Sequence, residues 1–191
     1  MKLAKALKRF TAMLFVAILA FNLCGISASA AEKRLSVPAY NQAKSKWCWA
    51  AAGQAIVNYK KGTSHYQCTI YKEGKKYSAC TTDEDGSIYT QFTNIFTFAK
   101  FSSTGTVVFS PTSWSTTVGQ INLNRPILAR IGWKSYNSGH FAVISGYNDG
   151  LTDYVYWTDI GLSGSTTRKS TYSAFKDNSE WTWTTSRYAM Y

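Results

Sequence analysis

Apolar residues recur at helical spacing in three stretches of the chain. Trp49, Ala52, Gly53, Ile56 and Val57 lie three and four residues apart, which predicts a helix with one buried face. Ser45 stands before it as a candidate N-cap, and Lys60-Lys61-Gly62 supplies basic residues for a last turn with a glycine after it. Ile88, Phe92, Ile95, Phe96 and Ala99 predict a second helix from Ile88 to Phe101. A third short helix is expected from Trp114 to Leu123, with Ser113 as its cap. The polar stretch from His65 to Asp85, with Gly74 inside it and Gly86 just after, reads as a loop-rich insertion.

Beyond Pro126 the period changes. Ile127 to Trp133, His140 to Tyr147 and Tyr154 to Asp159 read as strands, with Asn148-Asp149-Gly150 as the turn between the last two. Thr106 to Phe109 is a short strand candidate, and Tyr188 to Tyr191 a final edge strand. Leu35 to Tyr40 is expected to be extended, because Pro38 disfavours helix at Val37. Helices first and an antiparallel sheet second is an α+β order.

The first thirty residues stand apart. Lys2, Lys5, Lys8 and Arg9 precede an apolar run from Met13 to Leu23, and Ala28-Ser29-Ala30 obeys the small-residue cleavage rule. This is the three-part pattern of a secretory signal peptide, with cleavage expected after Ala30. The run is shorter than the roughly 20 residues a membrane span needs. The lysine-rich signal has a bacterial look. Residues 31–191 then form one domain, a length that supports a sizeable core. The whole chain carries a net charge of +11 and stays positive without the signal's basic residues. Such a charge suits an anionic surface such as a cell-wall polymer, or simply a solvated exterior. No nucleic-acid recognition motif accompanies it.

After the signal, three cysteines are left: Cys48, Cys68 and Cys80. An odd count in an oxidising compartment leaves one thiol over. Cys68 and Cys80 are close in sequence within the polar stretch, so a disulfide between them would leave Cys48 free. The competing reading is three reduced cysteines with Cys48 buried and inert. Cys48 sits between Trp47 and Trp49 in the first turn of the expected helix. There the exposed N–H groups and the helix dipole favour a nucleophilic thiolate.

A cysteine nucleophile needs a base, and the base an orienting group. The chain has two histidines. His65 falls in the polar insertion. His140 opens a strand directly after Ser138-Gly139, where small residues leave room for a substrate. Antiparallel pairing about the turn near Gly150 brings position 140 opposite the neighbourhood of Asp159, which is then placed to hold one imidazole nitrogen. Gln42, just upstream of the cysteine helix, is a candidate oxyanion donor together with the Cys48 N–H. Two isolated histidines and a disulfide do not make a metal site, and no cofactor is expected.

Gln42, Trp47-Cys48-Trp49-Ala50-Ala51, Gly139-His140-Phe141-Ala142-Val143 and Trp157-Thr158-Asp159 together resemble the papain-like cysteine peptidases. The resemblance points toward the small secreted bacterial ones, the staphopain-like and double-glycine-leader-peptidase-like branches. It implies a two-lobed fold, with an N-terminal helical lobe carrying the cysteine helix and a C-terminal antiparallel sheet lobe. It also implies Cys48 as nucleophile, His140 as general base and acid, Asp159 as orienting residue and Gln42 in the oxyanion hole. Plant-type papains use asparagine where this chain offers Asp159. Staphopain-like enzymes are made with a long inhibitory propeptide, whereas residues 31–41 alone separate the expected cleavage site from Gln42.

The expectation is therefore a secreted, monomeric cysteine endopeptidase acting on protein or peptide substrates through a thioester. A separate inhibitor or immunity protein would be one way to protect the producer. Two other readings stay open. The same Cys–His pair serves a cell-wall peptide hydrolase or a transglutaminase-like acyl transferase. A cationic domain with seven tryptophans also suits non-catalytic surface binding.

Overall fold

A computed structural model describes residues 31–161, 164 and 166–191; the expected signal peptide lies outside the described residues. Seven strands and five helices are present among them. In chain order they are β1 (Ala31–Arg34), α1 (Cys48–Lys61), α2 (Gln67–Lys75), α3 (Thr90–Phe98), β2 (Thr104–Val108), α4 (Trp114–Asn122), β3 (Ile127–Trp133), β4 (Gly139–Asp149), β5 (Tyr154–Asp159), β6 (Thr167–Thr171), α5 (Tyr172–Lys176) and β7 (Trp181–Met190). All pairings are antiparallel, in the order β2-β7-β3-β4-β5-β6, with β1 added along the far half of β4. The α+β class follows.

The α1 helix is buried from Trp49 to Asn58, all round rather than on one face. It is sandwiched between the sheet and the pair α2–α3, and its alanines and glycine permit that. A Cβ on Gly53 would stand 3.0 Å from Ile95 and 3.1 Å from Ile70, so the neighbouring helices can pack this closely because position 53 has no side chain. One core lies on this helical side, with Trp47, Trp49, Ile56, Phe92, Phe96, Leu128, Phe141 and Val143. A second covers the opposite face, with Ile127, Ile131, Ala142, Ile144, Trp157, Phe175 and Trp183. Alternation along β3 and β4 supplies both.

Several local expectations change. Ser45 does not cap α1. The N-cap is Trp47, without a side-chain bond, because the Ser45 hydroxyl is taken by Asp83 (2.5 Å) and the Lys46 N–H by the same carboxylate (2.9 Å). The polar stretch 65–85 is not all loop, since it contains α2, whose buried positions Gln67, Ile70, Tyr71 and Gly74 recur at helical spacing. The last strand is neither short nor an edge: β7 runs from Trp181 and lies between β2 and β3. β1, β6 and α5 are additional. By contrast, the Ser113 hydroxyl does cap α4, accepting from the Thr116 N–H.

Candidate active site

Cys48 is the first residue of α1. The two tryptophans beside it point their indoles at one loop. Trp47 donates to the Thr82 carbonyl (3.1 Å) and Trp49 to that of Glu84 (2.9 Å). Trp47 also stacks on Tyr71 of α2, with ring centroids 4.2 Å apart. A Cβ on Gly74 would meet the Trp49 ring at 2.5 Å and one on Gly86 at 2.3 Å. The indole therefore lies in a slot between two glycines that no side chain can share. The Cys68–Cys80 disulfide is present and ties α2 to the start of this loop. Lys44 donates to the carbonyls of Cys80 (3.0 Å) and Thr81 (2.5 Å). Together these contacts fix the wall that carries Cys48, which remains a free, partly exposed thiol.

The facing wall is the end of the sheet. Ala142, not His140, pairs directly with Asp159. The offset is two residues, and an even offset leaves both side chains on the same face of the sheet, whereas an odd one would have separated them. His140 Nε2 stands 3.6 Å from Asp159 Oδ1, and Arg168 Nη2 stands 2.8 Å from Oδ2 of the same carboxylate. Burial opposes a charge on His140, but its pairing with Asp159 and with Cys48 outweighs this and pushes its pKa up to about 9. The His140 contact, with burial opposing it and Arg168 assisting, holds the Asp159 carboxyl below its ordinary range. The second histidine, His65, lies elsewhere, with its ring 5.3 Å from that of Phe98.

Gln42 is buried (7% exposed). Its N–H donates to the Gly161 carbonyl (2.8 Å), anchoring the segment before α1 to the chain just beyond β5. Its side-chain Nε2 donates to the carbonyls of Lys44 (3.0 Å) and Ser45 (2.7 Å). An amide nitrogen has two protons, and both are engaged in holding this loop.

Cys48, Trp49, Asp85, Gly86, Arg130, Asn137, Ser138, Gly139 and Phe141 enclose a cavity of about 290 Å³ between the two walls. Sequence reasoning found Cys48 and the Ser138-Gly139 pair but missed Arg130 and Arg168, which look like ordinary strand residues in the chain. Nor is Gly139 open space: a Cβ there would come within 2.6 Å of Arg130 Nη2. Trp133 flanks the histidine, with ring centroids 5.9 Å apart, whereas Trp157 is buried in the second core.

The arrangement brings together a thiol at a helix N-terminus, an imidazole that interacts with it, and a carboxylate 3.6 Å from that imidazole. It can carry nucleophilic acyl chemistry. Among the described residues no helix is long and apolar enough to cross a membrane. No curated protein matches the chain. The family model described as the Peptidase_C39 like family matches residues 34–190, and on that match the chain belongs to this cysteine-peptidase family.

Proposed function

We propose that the protein is a secreted cysteine peptidase that hydrolyses peptide bonds through a Cys48–His140–Asp159 triad. The observation that carries this is the placement of Cys48 at the start of α1, on the cavity whose sheet wall brings His140 within 3.6 Å of Asp159; the raised pKa of His140 is consistent with it. Asp159 stands on the Nε2 side of the ring, which leaves Nδ1 for the thiol and orients the imidazolium for the reaction. His140 takes the Cys48 proton, and the thiolate attacks the peptide carbonyl carbon. The first-turn N–H groups of α1 have no intrahelical acceptor, and that of Cys48 is placed to receive the developing oxyanion. Gln42 joins it as a donor by releasing one of its two carbonyls. His140 then protonates the leaving amine, and water hydrolyses the thioester with His140 again as base.

The reading includes a papain-like division into a helical and a sheet lobe, and what supports it is that α1 and the sheet end form the two sides of one cavity. Secretion is supported by the signal-like N-terminus and by the disulfide, which suits an oxidising compartment. The staphopain-like branch remains a resemblance carried by the motifs around Cys48 and His140. The test is hydrolysis of casein and of a peptide library by the protein and by its Cys48→Ala variant. Loss of activity on the order of 10⁴-fold or more is expected from removing a nucleophile. Full activity in the variant would overturn the reading.

A further inference from the structure

Arg130 is the charged group that the proposed reaction does not use. It lies on β3 opposite Phe141 and lines the same cavity as Cys48. It also lines a second cavity of about 510 Å³ beside it, with Tyr89, Phe109 and Thr184. Its side-chain hydrogen bonding is sparse. Nη1 donates to the Thr184 hydroxyl at 3.3 Å, and among the described residues no carboxylate lies within ion-pair distance of the guanidinium. Asp85 lines the cavity too, but its side chain is 84% exposed and stands 3.8 Å from Lys46.

Arg187 on the adjacent strand shows what a purely structural arginine looks like in this fold. It is 2% exposed and donates to the carbonyls of Thr104, Ile88 and Tyr89 and to the Thr93 hydroxyl. A guanidinium has five N–H donors in a fixed fork. Arg187 uses its donors on the protein, whereas Arg130 lines the cavity with a single side-chain hydrogen bond among the described residues, to Thr184. The fork is also held in place, because it lies against the backbone of Gly139, the residue before His140, at a distance that only glycine permits.

We propose that Arg130 is a specificity residue that binds a carboxylate of the substrate beside the scissile bond. The inference rests on the peptidase reading and names the substrate class: acidic peptides, or peptides ending in a free carboxylate close to the bond that is cut. A fork of this kind pairs with a carboxylate through two parallel hydrogen bonds, a geometry that an amide or hydroxyl does not match. On the far side of Arg130, the exposed pair Tyr89 and Phe109, with rings 5.7 Å apart, offers an apolar surface to the neighbouring residue of such a substrate.

The probe is a matched pair of alkylating reagents, iodoacetate and iodoacetamide, which differ in a carboxylate. Labelling of Cys48 is followed by intact mass in the wild type and in Arg130→Gln and Arg130→Lys. The iodoacetate rate, taken relative to iodoacetamide, is expected to fall about tenfold in Arg130→Gln, the size of one lost charge pairing at short range. Arg130→Lys should restore part of the ratio. The iodoacetamide rate should stay within about twofold throughout, as expected where charge steering alone is altered, and this shows that the variants are folded and their thiol intact. An unchanged ratio, or equal losses with both reagents, overturns the assignment of Arg130 alone. A wild-type Cys48 no more reactive than that of His140→Ala overturns the peptidase reading, and this inference with it. Two protectants then separate the sources of the carboxylate. Acetyl-Ala-Glu-Ala-amide slows iodoacetamide labelling if a side chain is recognised, and acetyl-Ala-Ala-Ala with a free carboxyl does so if a terminus is. In either case the protection should disappear in Arg130→Gln.

Discussion

The two walls of the cavity are held in different ways. The wall around Cys48 is locked by shape, with Trp49 between Gly74 and Gly86, Trp47 against Tyr71, and a disulfide closing the loop behind them. The sheet wall is held by a backbone ladder, and its working side chains are placed by charge: Arg168 on Asp159 and Asp159 on His140. Cys48 therefore depends on packing, and His140 depends on electrostatics. Damage to the first wall should appear mainly as lost stability, and damage to the second mainly as lost activity and an altered pH profile.

Asp159→Ala gives the largest expected contrast. Activity should fall on the order of 10²-fold, less than in His140→Ala, because orientation is a smaller task than proton transfer. The pH profile carries the sign. His140 stays protonated up to about 9 with its partners in place, so activity that needs its imidazolium should decline as pH rises through that region. Removing Asp159 takes away a stabiliser of the charged form, so the basic limb should move to lower pH. Its thermal midpoint should change little; a collapse of the fold instead would show that the sheet wall is also held by these side chains.

On the other wall, replacing Cys68 and Cys80 by serine should cost about 3 kcal/mol in the chain-entropy account of a short closed loop. Denaturant titration measures it. Gly86→Ala should cost roughly 1–3 kcal/mol, because the added methyl must displace the Trp49 ring or the loop. A melting curve and an activity assay on the same sample test the contrast. Loss of activity without loss of stability would mean that the glycine shapes the cavity rather than packing the wall.

How much of this was legible in the chain follows the same division. Local signals carried through: Ser113 caps α4, β3 and β5 begin and end where alternation and turn residues place them, and Cys48 opens α1. The disulfide emerged from an odd cysteine count. Hairpin reasoning set Asp159 opposite the neighbourhood of His140; the structure pairs it with Ala142, two residues on, which keeps both side chains on one face of the sheet. What failed was decided at long range. Ser45 was claimed by Asp83, far along the chain, and so was lost as a cap. The α2 helix buries a glutamine and a glycine among its inward positions, so its period is not hydrophobic. The strand β7 lies inside the sheet because β2 pairs along its outer side, which nothing in its own residues announces. Arg130 and Arg187 are both strand arginines in the sequence. Only the fold separates the one that holds carbonyls from the one that faces the cavity.

The central claim is that His140 activates Cys48. Its most direct test is the rate of iodoacetamide labelling in the wild type and in His140→Ala, read by intact mass at neutral pH. The account predicts one rapid label on Cys48 in the wild type and labelling at least about tenfold slower without the imidazole partner. Equal rates in the two proteins would contradict it and would leave Cys48 an ordinary thiol at the end of a well-packed helix.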